Sequence, residues 1–280
     1  MNDAVDPALV AARFATYGLA IFGFGAASFP VFVGGAPAGR WARGLAAGLA
    51  AAALAYLALL AREVGGPATP VLALPGMMLQ LVAGAGFGQA LTAITVLALI
   101  LVAVPARWRR VRLALAGAGL AALAFVGHAA DGTGPRGLLR LAMMALHLLA
   151  IGTWIGALPS LLLALRPGGA APAPTLRRFG QVAGLALAVV LGTGLVSLAF
   201  VVADVRGAVG MGYLRVLGVK LGFVAGLVTL AVINRFALTP RIAGPGRALA
   251  ALRWSIAAEQ ALGLGAIAAV AVLGQMDPTM

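Results

Sequence analysis

The stretch MMALHLLAIGTWIG, residues 143–156, is apolar enough to lie in lipid, yet it carries side chains that can bind a metal ion. Residues three, four and seven apart share one face of a helix, so Met143 and Met144 lie with His147, and Trp154 lies two turns further along. Thioether sulfur is a soft metal ligand and imidazole is a borderline one. The spacing therefore predicts a helix face on which ligands for a soft metal ion lie together.

The depth of His147 leaves two interpretations open. With the helix starting near residue 138, His147 lies about 13 Å into the span at 1.5 Å rise per residue, close to mid-bilayer. A polar side chain there is costly and normally faces the bundle interior or a water-filled cavity. One interpretation is a neutral imidazole that hydrogen-bonds a neighbouring helix. The other, which we favour, is a functional group. The small residues of GTWIG, around Trp154, would let another helix approach closely.

The composition identifies the kind of protein that must position these side chains. Of 280 residues, 62% are hydrophobic and 10% are charged, which indicates an integral membrane protein. The formal net charge of +13 comes from arginines in short loops, so we expect no nucleic-acid partner. The chain has no cysteine, which excludes thiolate metal sites and covalent haem attachment. Its acidic start, MNDAVDP, is unlike a signal peptide, so we expect the first apolar run to be a span.

The apolar runs predict an all-α, polytopic membrane bundle of about eight transmembrane helices in a single membrane domain, residues 1–280. An apolar piece at 71–84 is too short to span and is predicted to be interfacial or re-entrant. The predicted spans are roughly 11–32, 44–61, 86–104, 112–128, 138–165, 179–203, 214–236 and 254–274.

The arginines predict the orientation. With both termini outside, thirteen arginines fall on inner loops and six on the outer side, and six of the seven acidic residues also lie outside. The positive-inside rule therefore predicts that both termini are periplasmic. On this topology all eight methionines lie on or near the outer side, and His128 joins them at the outer end of the fourth span.

These positions predict an outer site for copper, as Cu(I), which thioether and imidazole ligands suit better than zinc, magnesium or calcium. Taken singly, each methionine is better explained as packing, because Met fills gaps in apolar interiors. The adjacent pairs near a histidine favour the metal interpretation. The predicted metal ligands are His147, Met143, Met144, His128, Met77, Met78 and Met211.

Three other polar side chains fall inside predicted spans. Lys220 either snorkels to the interface or reaches outward to Asp131 or Asp204. Glu259 either pairs with Arg235 or hydrogen-bonds Asn234, and it either stabilises the bundle or relays protons. Thr193, in GTGLVS, is expected to help helices pack. We predict Trp154, Lys220, Asn234 and Glu259 as pathway or structural polar residues.

Several segments resemble the CopD family of bacterial inner-membrane copper-resistance proteins. They cover roughly residues 86–278, leaving two N-terminal spans and the interfacial segment in 1–85. The resemblance implies a multi-pass inner-membrane protein that handles copper with a separate periplasmic partner of the CopC type. The residues to which it points are His147, Trp154, Lys220, Asn234 and Glu259. The segments are GHAADGTGP (127–135), ALHLLAIGTWIGALPSLLLAL (145–165), LGTGLVSL (191–198), YLRVLGVKLGFVAGLVTLAVINRFALTPRI (213–242) and WSIAAEQALGLGAIAAVAVLGQMDP (254–278).

We therefore predict a permease, not an enzyme, that moves copper ions from the periplasm toward the cytoplasm. No phosphate-binding G-x-x-x-x-G-K-[ST] loop is present, so any pumping would use a gradient or a partner. An alternative is a haem-binding electron-transfer subunit that uses His128 and His147 as axial ligands. A second alternative is a scaffold or sensor subunit without transport.

Overall fold

A computed structural model describes residues 5–36, 39–66, 69–127, 134–166, 172–204, 209–241 and 247–277. Within these ranges the chain is helical and has no strand, which confirms the predicted all-α bundle. His128 lies outside the described residues. The helices are α1 (Pro7–Phe32), α2 (Arg40–Gly65), α3 (Leu74–Gly84), α4 (Gly86–Ala103), α5 (Arg109–Ala122), α6 (Gly134–Trp154), α7 (Leu158–Ala164), α8 (Pro172–Asp204), α9 (Met211–Ile233) and α10 (Arg247–Leu273).

Helix α1 forms the centre of the bundle and packs against α2, α5, α6 and α10. Small residues permit its closest approach. A β-carbon at Gly25 would overlap the backbone of Gly156, and one at Gly156 would overlap the carbonyl of Ile21. Helices in lipid associate through such close packing. The GTWIG segment therefore does admit a neighbouring helix, and that helix is α1.

Two hydrophobic clusters fill the interior. The first joins α1, α2, α4 and α5, with Ile94 and Leu120 fully buried in it. The second joins the end of α6 to α7, α8 and α10, with Leu158 and Ile256 at its centre. The outward faces of α8 and α9 stay apolar and exposed, as expected for surfaces that meet lipid chains.

Seven helices in the described part of the chain are long and apolar enough to cross a membrane. The predicted fourth span, 112–128, is shorter in the structure, because α5 ends at Ala122 and a 3₁₀ turn, Leu123–Phe125, completes it. Together, α5 and this turn still extend along most of the length of α1. The Arg109 guanidinium donates to the carbonyl of Pro30 near one end of α1, and Val126 accepts from Tyr17 near the other.

Arg13 places the start of α1 and the end of α10 on one face of the bundle. This side chain is only 8% exposed, and its guanidinium donates to the carbonyls of Gly274, at the end of α10, and Val126, after α5. It also lies 5.3 Å from the centre of the Tyr17 ring. The beginning of α1 and the end of α10 are therefore neighbours, as eight crossings require. The positive-inside rule places Arg13 among the six outer arginines and does not predict its burial.

Two predicted boundaries change. The predicted span 138–165 is divided, because α6 ends at Trp154 and α7 starts at Leu158 with Pro159 in its first turn. The segment 71–84 forms a 3₁₀ turn, Val71–Ala73, followed by the eleven residues of α3. It is too short to span, as predicted, and it packs against α2 and α4 while exposing Leu72 and Leu79.

Candidate metal-binding site in the outer half of the bundle

His147 lies at the interface of α6 and α8, and Thr193 fixes its ring. Nδ1 of the imidazole is 2.8 Å from Oγ1 of Thr193, and that hydroxyl donates to the carbonyl of Val189 at 2.6 Å. A hydroxyl has a single proton to donate, so Oγ1 accepts from Nδ1–H. The remaining nitrogen, Nε2, then carries the free lone pair that a metal ion needs.

The position of His147 along α6 places it inside the bundle. Gly152 of α6 lies beside Phe24 of α1, so these two residues are at the same depth. Phe24 lies eleven residues deeper than Arg13, and His147 lies five residues less deep than Gly152. At 1.5 Å rise per residue, His147 is therefore about 9 Å deeper than Arg13. The ring is partly buried, and its Cε1 lies near Gly194 of α8, where a β-carbon would be 3.7 Å away. The imidazole therefore lies in the half of the bundle that contains the start of α1 and the end of α10, which is the predicted outer half, and it faces a neighbouring helix.

Lys220, which is partly buried on α9, lies within electrostatic range of this ring. Of its predicted partners, Asp131 and the side chain of Asp204 lie outside what the structure describes. The polar side chains in contact at His147 therefore come from α6 and α8, and α9 contributes a charge nearby.

The predicted methionine ligands occupy several helices at the outer end. Met143 lies one turn outward from His147 on α6. Met144 and Met78 pack against the first hydrophobic cluster, which agrees with the packing interpretation for those two. Met77 lies against Gly65 at the end of α2, and Met211 is 66% exposed at the start of α9.

No group of three or more His, Cys, Asp or Glu side chains able to hold a metal ion occurs in the described ranges. The further ligands predicted for a metal ion at His147 are thioether sulfurs and the imidazole of His128, which lies outside the described residues. Earlier on α6, toward its first residue, two arginines lie close to the aromatic ring of Phe200. The guanidinium of Arg140 is 4.8 Å and that of Arg136 is 5.6 Å from the centre of the Phe200 ring.

A second polar group lies toward the inner side. Asn234 donates from Nδ2 to Oε1 of Glu259 at 2.7 Å, which is the pairing that the sequence offered as one alternative. The other alternative, Arg235, is wrong, because Arg235 donates to the carbonyl of Gly180 on α8.

Trp154 is 3% exposed and packs in the second hydrophobic cluster.

Sequence reasoning missed the role of Thr193, which was expected only to pack helices. The signal was available, because Thr193 is one of few polar residues in the apolar run of α8. What the sequence alone did not supply is the rotation of α8 that turns this hydroxyl toward α6.

The fold and the site define a multi-pass helical membrane protein whose interior polar groups form an outer and an inner cluster. Comparison with known families agrees with this class. The model of "Copper resistance protein D" matches residues 173–273, and that of "Copper resistance protein D-like, N-terminal domain" matches residues 1–138. The chain belongs to the copper resistance protein D family.

A curated relative, "Copper resistance protein D" of Pseudomonas syringae pv. tomato, is 33% identical over 180 residues. That alignment covers 59% of this chain and 58% of the relative, so the chain spans little more than half of the relative's length. No solved structure matches the chain. Lys220, Asn234 and Glu259 lie within a matched family segment, whereas His147 and Trp154 lie between the two segments.

Proposed function

We propose that this protein is a copper permease of the bacterial inner membrane, which accepts Cu(I) at its periplasmic face and moves it toward the cytoplasm. The observation that carries the proposal is the imidazole of His147, whose Nδ1 lies 2.8 Å from the Thr193 hydroxyl in the predicted outer half of the bundle, so that Nε2 is the candidate metal ligand. Family membership supports copper as the cargo.

The chemistry of the ligands favours Cu(I). Neutral imidazole and thioether bind a metal ion without releasing a proton, and both are soft enough for Cu(I). Met143 lies one helical turn outward of His147, so an ion can pass from sulfur to nitrogen along one face of α6.

The charge of Lys220 would control the site. A positive ammonium near His147 opposes a bound cation, so copper is held loosely enough to leave. Conduction through a membrane requires binding that is favourable on arrival and weak enough for release. The resemblance to the CopD family supports delivery by a separate periplasmic protein of the CopC type.

Uptake into proteoliposomes tests the proposal. Vesicles containing the protein and a trapped Cu(I) chelator should accumulate copper, and His147→Ala should reduce the initial rate at least tenfold. Met211→Leu, a conservative change on the exposed start of α9, serves as a comparison and should reduce the rate less. Equal rates for His147→Ala and the original protein would exclude His147 from the path.

The same sample separates the competing functions. An absorption spectrum with a Soret band would favour the haem-binding alternative, in which His128 and His147 are axial ligands. A protein that binds copper but gives no uptake would favour the scaffold or sensor alternative. Either result would contradict the permease proposal.

A further inference from the structure

The pair formed by Glu259 and Asn234 has an unusual pattern of hydrogen bonds. Glu259 is 3% exposed and Asn234 is 9% exposed, and the bond from Nδ2 to Oε1 measures 2.7 Å. The other amide atom, Oδ1 of Asn234, is buried and has no hydrogen-bond partner. A buried acceptor without a donor is costly, so this atom points to a donor that the heavy-atom positions do not display.

No cation compensates Glu259 in the described part of the chain, where its one polar contact is the bond from Asn234. Arg235 donates to Gly180 at 2.6 Å, and Arg241 donates to the carbonyl of Ala237. On α10 itself, Arg253 precedes Glu259 by six residues, about 9 Å.

The other helices that pack on α10 bring no closer charge. On α9, Lys220 is fourteen residues from Asn234, about 21 Å, and Arg215 is further outward. The charged residue of α1 is Arg13, which bonds Gly274 at the opposite end of α10, and α7 has none. Among residues whose side chains the structure does not describe, the basic ones are His128 and Arg206, both on the predicted outer side, and Arg247, which precedes Glu259 on α10 by twelve residues, about 18 Å.

An ionised carboxylate in a bilayer without a counter-ion is expensive, so the neutral acid is favoured. The neutral acid also explains the orphan atom. A carboxylic acid and a primary amide make a two-point pair, in which Asn234 Nδ2–H donates to Oε1 and the acid O–H donates to Oδ1. In that arrangement each group donates to the other, whereas a carboxylate has no proton to give to Oδ1.

We propose that Glu259 and Asn234 form a proton-binding site in the inner half of the bundle, whose loss of the proton loosens the contact between α9 and α10. On release the carboxyl O–H bond breaks, its electron pair stays on the carboxylate, and water takes the proton. Oδ1 of Asn234 then loses the donor that the acid supplied. If the protein moves copper as proposed above, this proton is the coupling ion.

The backbone at Asn234 suits such a change. A single π-helical turn, Asn234–Leu238, begins at this residue, and Thr239 donates its hydroxyl to the carbonyl of Asn234 at 2.6 Å. Turns of this kind interrupt the regular hydrogen-bond register and occur frequently at functional sites. The amide is therefore carried by the least regular part of the α9 span.

Infrared difference spectroscopy tests the proton site without any copper. The original protein at neutral pH should give the carbonyl band of a protonated carboxylic acid, and Glu259→Gln should lose it. Glu63→Gln, at the exposed end of α2, should keep the band. Asn234→Leu should shift the band to higher frequency because the acid loses its acceptor. A spectrum without the band, or a band that survives Glu259→Gln, overturns the proposal.

The Gln variant should fold, because a Gln–Asn amide pair repeats the two-point geometry of the protonated acid. In proteoliposomes, Glu259→Gln should reduce copper uptake at least tenfold and abolish its dependence on a pH gradient. Its Cu(I) affinity at the outer site should stay within twofold of the original. Copper uptake that is still driven by a pH gradient in this variant overturns the role of Glu259 in coupling. Absence of uptake in the original protein refutes the permease instead, and leaves the infrared result to decide the proton site.

Discussion

Replacing Thr193 with valine should weaken Cu(I) binding through a residue that does not contact the metal. Valine keeps the shape of threonine but removes the hydroxyl that lies 2.8 Å from Nδ1 of His147. The ring is then free to carry its proton on either nitrogen, and Nε2 is no longer reserved for the metal ion.

The expected magnitude follows from the strength of such bonds. Side-chain hydrogen bonds between membrane helices contribute on average about 0.6 kcal/mol and at most about 1.7 kcal/mol. With a factor of ten for each 1.4 kcal/mol, Thr193→Val should raise the Kd for Cu(I) roughly 3- to 20-fold. Thr193→Ser keeps the hydroxyl and should stay close to the original protein.

The assay combines affinity with the state of the ring. Competition against a Cu(I) chelator gives the Kd, and nitrogen NMR of labelled histidine reports which ring nitrogen carries the proton. Two histidines in the chain make the spectrum simple to assign. Thr229→Val is a matched control, because that hydroxyl bonds only the carbonyl of Ala225 on its own helix. An unchanged Kd and an unchanged ring proton in Thr193→Val would refute the assignment of Nε2 as the free nitrogen.

Three further predictions follow from other parts of the bundle. Lys220→Met removes a positive charge that acts on the imidazole and should tighten Cu(I) binding about threefold to tenfold in the same titration. Gly156→Ala forces a β-carbon against the backbone of α1 and should cost about 1–3 kcal/mol of stability, seen as a lower unfolding temperature, whereas Gly23→Ala has open space and should not. Single cysteines at Val5 and Gln275 in this cysteine-free chain should react with an impermeant reagent from the same side, the periplasmic one, and labelling from opposite sides would refute eight crossings.

The periodic and compositional features of the fold were predictable from the sequence. Apolar runs of about 20 residues located the long helices, because backbone hydrogen bonds in lipid must be satisfied within a helix. The break at Pro159 and the short α5 were not resolved, since an apolar run does not reveal where a helix bends or ends. The burial of Arg13 was missed because its acceptors, the carbonyls of Val126 and Gly274, lie far away in the chain.

The candidate site was predicted in part. The faces of α6 followed from helical spacing, so His147 and Met143 were placed correctly relative to each other. The contact between Asn234 and Glu259 was one of two alternatives, and only the packing of α9 on α10 decides between them. The role of Thr193 depends on the rotation of α8. Spacing within one helix is a local property, whereas a contact between helices depends on the whole bundle.

The most direct test of the copper proposal is a titration of the purified protein with Cu(I) against a competing chelator. The original protein should bind tightly, His147→Ala should lose that binding, and the double change of Met143 and Met144 to leucine should weaken it while leaving the fold intact. Binding that is unchanged in His147→Ala would contradict the account, because the imidazole would then serve only to bond α8.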